Sequence, residues 1–241
     1  MKNKHTRSLS SKKMNILSNL ALGVLVVSLG TLCIFSTDGV TQTDGEEAAI
    51  YRSGKPDQNA VSLMFNVYWG TAEVYEILEI LESNHAVATF FIGGCWADDN
   101  VDCLRAIYEK GHEIGNHGYF HKDHAKLSVE QNASEISACN QFIELALGTA
   151  PVLFAPPSGA YVDATLTACQ RLQMKTILWS KDTIDWRDKD AKLIYSRATK
   201  NVTAGDFILM HPMEKTVEAL PDILQYYKSV GLKTVTVSQN L

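Results

Sequence analysis

The stretch from Val87 to His121 reads VATFFIGGCWADDNVDCLRAIYEKGHEIGNHGYFH, and it contains a strand, a helix and a second strand in that order. Val87 to Ile92 is β-branched and aromatic, which is the make-up of a buried strand. Leu104, Ile107 and Tyr108 mark the apolar side of a helix that closes on Gly111. His112 to Gly115 then reads as a short strand. The same alternation continues outward in both directions. Upstream, the apolar run Val61–Phe65 precedes Val74, Ile77, Leu78 and Leu81, which recur at i, i+3, i+4 and i+7. Downstream, Ser128 to Gln131 has the form of a capping box, with Ile136, Cys139, Ile143 and Leu147 following before Gly148. Val152–Phe154 is a strand. Leu166, Cys169 and Leu172 lie on a helix that Asp163 could cap. Thr176–Trp179 and Phe207–Met210 are strands with a helix over Leu193–Thr199 between them. Leu220, Ile223, Leu224 and Tyr227 form the last helix, closed by Gly231, and Thr234–Val237 ends the series. Such alternation predicts a parallel α/β fold, with a barrel preferred over an open sheet.

Residues capable of chemistry follow these strands one after another. Asn66 comes after Val61–Phe65, and His117 and His121 after His112–Gly115. Pro156, Pro157 and Gly159 follow Val152–Phe154. Asp182, Asp185 and Trp186 follow Thr176–Trp179, and His211 follows Phe207–Met210. Barrel active sites are assembled at the C-terminal ends of strands. Loops do attract polar residues in general, yet that tendency does not select His, Asp and Trp at each position. Two imidazoles four residues apart can aim at one metal ion. Spaced histidines are also ordinary loop residues, so spacing alone leaves both readings open.

Five phrases carry a resemblance. They are Ala88–Gly94 (ATFFIGG), Gly111–His121 (GHEIGNHGYFH), Pro156–Gly159 (PPSG), Trp179–Trp186 (WSKDTIDW) and Leu209–Pro212 (LMHP). In this order they resemble the polysaccharide deacetylase family, also called the NodB homology domain, over about Tyr51 to Leu241. Within it, they are most similar to the PdaB-like, sporulation-associated group. The resemblance implies a distorted (β/α) barrel of fewer than eight strands. It also implies metal-dependent removal of N-acetyl groups from amino-sugar polymers such as peptidoglycan or chitin. It assigns His117 and His121 as metal ligands, with zinc the expected divalent ion, and His211 as general acid. Asp185 would orient His211. Trp186, Leu209, Pro157 and Gly159 would face the substrate. Trp179 is expected to be core packing, and Asp182 is left between a site role and the cap of a turn.

The first motif departs from the family pattern. That pattern is Thr-Phe-Asp-Asp-Gly, whose first Asp is the base and whose second is a third metal ligand. Here the run is Met64-Phe-Asn-Val-Tyr-Trp-Gly70. Asn66 stands in the place of the base, and an amide accepts no proton at neutral pH; Val67, in the ligand's place, binds no metal. The arginine expected ahead of Pro156, partner of the base, is Ala155. Loss of both is coherent, since a buried guanidinium without its carboxylate is costly. Three readings stay open. One is a weak deacetylase with a two-histidine site whose metal is weakly held or absent. Another is a catalytically silent glycan- or cell-wall-binding relative. The third is a site completed by another carboxylate, Asp123 or Asp98. Restoring full activity is expected to need Asn66→Asp, Val67→Asp and Ala155→Arg together.

Residues 1–15 form a basic tail (Lys2, Lys4, Arg7, Lys12, Lys13) ahead of the apolar run Ile16–Phe35. That run is long enough to cross a hydrocarbon core of ~30 Å. Basic residues before it and acidic ones after it orient the tail to the cytoplasm and the domain to the wall side. A cleaved signal peptide is the competing reading, disfavoured by bulky residues around Cys33 to Ser36. Residues 36–50 read as a linker and 51–241 as one domain. The net charge of −5 gives no support for nucleic-acid binding. Cys139 and Cys169 are expected to be free and buried, while Cys95 and Cys103 could pair outside the membrane.

Overall fold

The computed structural model describes residues 49–241. The basic tail, the apolar run Ile16–Phe35 and almost all of the linker lie outside the described residues. In chain order the elements begin with β1 (Ile50–Tyr51), β2 (Ala60–Val67), α1 (Thr71–Ser83), β3 (Thr89–Ile92), α2 (Gly94–Asp99) and α3 (Val101–Glu109). They continue with β4 (Glu113–Asn116), α4 (Val129–Leu147), β5 (Leu153–Phe154), α5 (Asp163–Arg171), β6 (Lys175–Ile177) and β7 (Lys181–Asp182). The last are α6 (Ala191–Thr199), β8 (Phe207–Met210), α7 (Glu214–Ser229), β9 (Lys233–Thr234) and α8 (Val237–Asn240).

All eight residues of β2 are buried, as befits a strand covered on both faces. It lies between β3 and β8, with Phe65 opposite Phe90 on one side and Met210 on the other. The strand order is β1-β6-β5-β4-β3-β2-β8-β7, with β9 paired to β2, and every ladder is parallel. Alternation along β2 divides the core in two. Val61, Leu63, Phe65 and Val67 pack with Val74, Ile77 and Leu78 of α1 and with Leu220 and Ile223 of α7. Met64, on the other face, clusters with Phe91, Leu153, Ala155, Ile177 and Phe207. Side chains from five strands meet there only if the sheet curls around them. No ladder joins β1 to β7 among the described residues, so the result is a parallel half-barrel, distorted as expected. It has nine strands rather than fewer than eight, because short two-residue strands extend both edges and the β2 pairing.

Some boundaries differ from the sequence reading. The helix expected to be last, α7, starts at Glu214 and continues through Pro221. Its buried stripe of Leu220, Ile223, Leu224 and Tyr227 outweighs the ~3 kcal/mol that an interior proline costs. Thr234–Val237 is not one strand: β9 ends at Thr234, and a capping box on Thr236 starts α8. Asp163 is the first residue of α5 rather than its cap. Thr176–Trp179 is displaced, because β6 ends at Ile177. The Ser128–Gln131 capping box and the left-handed Gly148 (φ 77°) bound α4 as expected. Cys95 and Cys103 are free thiols, as are buried Cys139 and Cys169, so the conjectured disulfide is absent.

Candidate active site

The C-terminal ends of β2, β4, β7 and β8 open on one cavity of about 310 Å³. Asn66, His117, His121, Trp186, Leu209 and His211 all line it, together with Trp69, Ser158, Trp179 and Asp182.

His117 follows β4 directly, and its backbone N–H donates to Ile92 O. Its ring Nδ1 lies 2.7 Å from the Ala155 carbonyl, which turns Nε2 toward the cavity. Ala155 thus holds the imidazole through its backbone, although it carries no guanidinium. Burial, then the neighbouring His121 ring, pushes the His117 pKa down to about 3, so the ring is neutral. Burial also lowers His121. The two rings stand edge to face at 5.1 Å. The loop between them is pinned by Gly118 N–H to Asn116 Oδ1 (2.7 Å) and by Phe120 N–H to Glu135 Oε2 (2.9 Å). His121 has φ 52°, an uncommon left-handed conformation, and its ring packs on Tyr68 at 4.7 Å.

Asp185 is fully buried and makes four hydrogen bonds. Its Oδ1 faces His211 Nδ1 at 2.8 Å and accepts from Trp186 N–H; its Oδ2 accepts from His211 N–H and from Thr216 Oγ1, both at 2.7 Å. This grip leaves His211 Nε2 for the cavity. Ile184, just before Asp185, has φ 53°, which is strained for a β-branched residue. Asp182 accepts from Ile184 N–H at 2.8 Å and Arg197 donates to Thr183 O, which hold that turn in place. Asp182 therefore both caps a turn and lines the cavity.

The first motif is where the geometry revises the sequence reading. Asn66 lies inside β2, is 3% exposed, and its Oδ1 is buried without a hydrogen-bond partner. Val67 lies on the opposite face, among the helix-packing side chains. It does not line the cavity, so a carboxylate placed there would enter the core. The three-change restoration expected from the sequence thus loses its Val67 component. Asp123 and Asp98 do not complete the site either. Asp123 caps a turn by accepting from Ala125 N–H and pairs with Lys126, and Asp98 is exposed on α2. Of the residues expected to face substrate, Pro157 is buried in a 3₁₀ turn and Gly159 packs against the Trp179 ring. Ser158 between them lines the cavity instead. Trp179 also does more than fill the core, since it is half-buried and lines the cavity. Ser158, Trp69 and Thr216 were not singled out from the sequence. Nothing but their proximity to Pro157, Gly70 and Pro212 marked them.

A catalytic zinc takes three protein donors and keeps one position open. Here three imidazoles, the Asn66 carboxamide and the Asp182 carboxylate line the cavity. His211 is held by Asp185 and Asp182 by the Ile184 N–H, and no group of three or more His, Cys, Asp or Glu converges among the described residues. The donors present do not fit a catalytic metal.

The polysaccharide deacetylase family model matches residues 53–177. An uncharacterized protein of Bacillus subtilis, YlxY, is 36% identical over 190 residues, covering 79% of this chain, and the chain spans only 59% of that relative's length. A peptidoglycan-N-acetylglucosamine deacetylase of Bacillus cereus is 33% identical, over 69% of this chain and 80% of its own. A CE4 family pseudoenzyme from Bacillus anthracis has a crystal structure similar to this one. The TM-score is 0.78, with 33% identity over 80% of this chain and 69% of that one. A mutant of that pseudoenzyme, with restored enzymatic activity, superposes equally well.

Proposed function

Because this chain belongs to the polysaccharide deacetylase family, we propose that it engages N-acetylated amino sugars of the cell wall, peptidoglycan foremost. It turns them over far more slowly than a relative with a full carboxylate set. The observation that carries this reading is Asn66. A buried carboxamide with an unpartnered oxygen faces the histidines of the cavity. It can accept a hydrogen bond from a ligand N–H, such as that of an acetamido group, but it cannot take a proton from water. The proton-delivering half of the site is intact, because Asp185 fixes His211 with Nε2 free to protonate a leaving amine. Leu209 and Trp186 offer apolar surface to an acetyl methyl group. The site thus binds and partly prepares the amide, while the step needing a base is poorly served. Wall-side anchoring through residues 16–35 and a sporulation setting belong to the same proposal. They are supported by the charge pattern of the N-terminus and by the motif resemblance.

A silent glycan-binding protein is the second reading, favoured by the burial of Val67 in the core and by the small Ala155 in place of an arginine. Acetate release from peptidoglycan and from N-acetylglucosamine oligomers separates the two. The wild type is expected to be slow, and Asn66→Asp combined with Ala155→Arg to be faster by roughly 10²-fold or more, the usual size of a general-base contribution. His211→Ala is expected to abolish what the wild type does. Zero acetate from the wild type, with glycan binding kept, selects the silent reading. A fast wild type indifferent to His117→Ala would show that the cavity is not the site.

A further inference from the structure

Trp69 follows β2 at the rim of the cavity and is 40% exposed, so core packing does not account for it. Its ring is nevertheless held from two sides. It lies parallel to the His211 imidazole, 5° off coplanar at 5.7 Å, and its indole N–H donates to Met213 Sδ at 3.2 Å. The following Gly70 is left-handed (φ 76°) and presses on Pro212, whose carbonyl oxygen would meet an added Cβ at 2.3 Å. The backbone carrying Trp69 is thereby tied to the loop after β8. On one side the indole lines the histidine cavity. On the other it lines a second cleft of about 480 Å³, bordered by Glu73, Lys189, Met213 and Lys215. Trp69 is thus shared by the linings of the two clefts.

A fixed, half-exposed aromatic face between two clefts suits a flat apolar ligand surface with polar edges. A pyranose ring has that form, with C–H groups on its faces and hydroxyls at its rim. We infer that Trp69 is a stacking platform for the sugar next to the one whose acetamido group enters the histidine cavity, with the glycan continuing into the second cleft. Glu73, Lys189 and Lys215 there supply acceptors and donors for ring hydroxyls. This rests on the glycan reading above and adds to it that the protein binds a chain rather than a single sugar.

The test measures binding of N-acetylglucosamine and of its dimer and tetramer to the full-length chain, as wild type, Trp69→Ala and Trp69→Phe. The wild type should bind the tetramer about 10-fold or more tightly than the monomer. Truncating a central aromatic anchor commonly costs that much or more, so Trp69→Ala should remove most of this gain and bring the tetramer's affinity close to the monomer's in the same variant. Trp69→Phe, which keeps an aromatic face but has no N–H for Met213, should retain most of it. Tetramer binding unchanged in Trp69→Ala, or Trp69→Phe as weak as Trp69→Ala, overturns the platform while leaving the glycan reading standing. A wild type that binds none of the three sugars defeats both.

Discussion

His112, at the turn into β4, shows how burial sets the charge state of single residues outside the cavity. It is 5% exposed, and its Nδ1 accepts from the Ala88 N–H at 3.3 Å, so the folded protein holds the ring neutral. Desolvation, with a further push from the Lys110 charge, brings its pKa down to about 4, against an opposing pull from Glu82. An unfolded histidine takes up its proton near 6.5. Between those values the unfolded chain binds more protons than the folded one, so stability falls as pH drops from about 6.5 to about 4. The contribution is fully present above 6.5. His112→Gln keeps an acceptor but does not titrate. Its melting temperature should fall less steeply than the wild type's over that window, the stability difference reaching about 3 kcal/mol at the acid end. Parallel melting curves for the two proteins would assign the acid sensitivity elsewhere. Among cavity residues, Asn66 was legible as a departure because it sits inside a specific motif. Trp69 and Thr216 were not, because their importance comes from ring stacking on His211 and a bond to Asp185 that no local pattern announces.

Element β2 explains why two adjacent departures from the motif have unlike consequences. Strand side chains alternate faces, so Asn66 reaches the cavity while Val67 packs against the helices. Val67→Asp should bury a carboxylate with no partner and lower stability by about 3 kcal/mol or more. Asn66→Asp adds its charge where the cavity opens and should cost far less. Urea unfolding of the two variants checks this, and equal midpoints would show that the Val67 side chain can turn to the cavity. The longer apolar runs, Val61–Phe65 and Phe207–Met210, were readable as strands because burial on both faces leaves nearly continuous hydrophobic sequence. The two-residue strands β1, β7 and β9 were not readable, since a pair of residues has no periodicity. Pro221 concealed the first half of α7. A proline normally ends a helical pattern, and only the tertiary burial of Leu220 and Ile223 shows that this one does not.

At the scale of the whole molecule, the parallel order was legible from strand–helix alternation, but the gap between β1 and β7 was not, since closure depends on ladders that the sequence does not spell out. Location rests on the N-terminal charge pattern alone. Lys2, Lys4, Arg7, Lys12 and Lys13 precede the apolar run, while Asp38, Asp44, Glu46 and Glu47 follow it. Basic flanks stay cytoplasmic, which would send the half-barrel outward to the peptidoglycan its cavity is proposed to hold. Cells stripped of their wall and treated with protease should therefore lose the domain, while a cytoplasmic marker stays intact. Their membrane fraction should keep a short N-terminal fragment if residues 16–35 are an uncleaved anchor. Survival of the domain in intact protoplasts would place the cavity on the cytoplasmic side. Wall peptidoglycan would then be out of its reach, and the slow turnover inferred from Asn66 would need a different substrate.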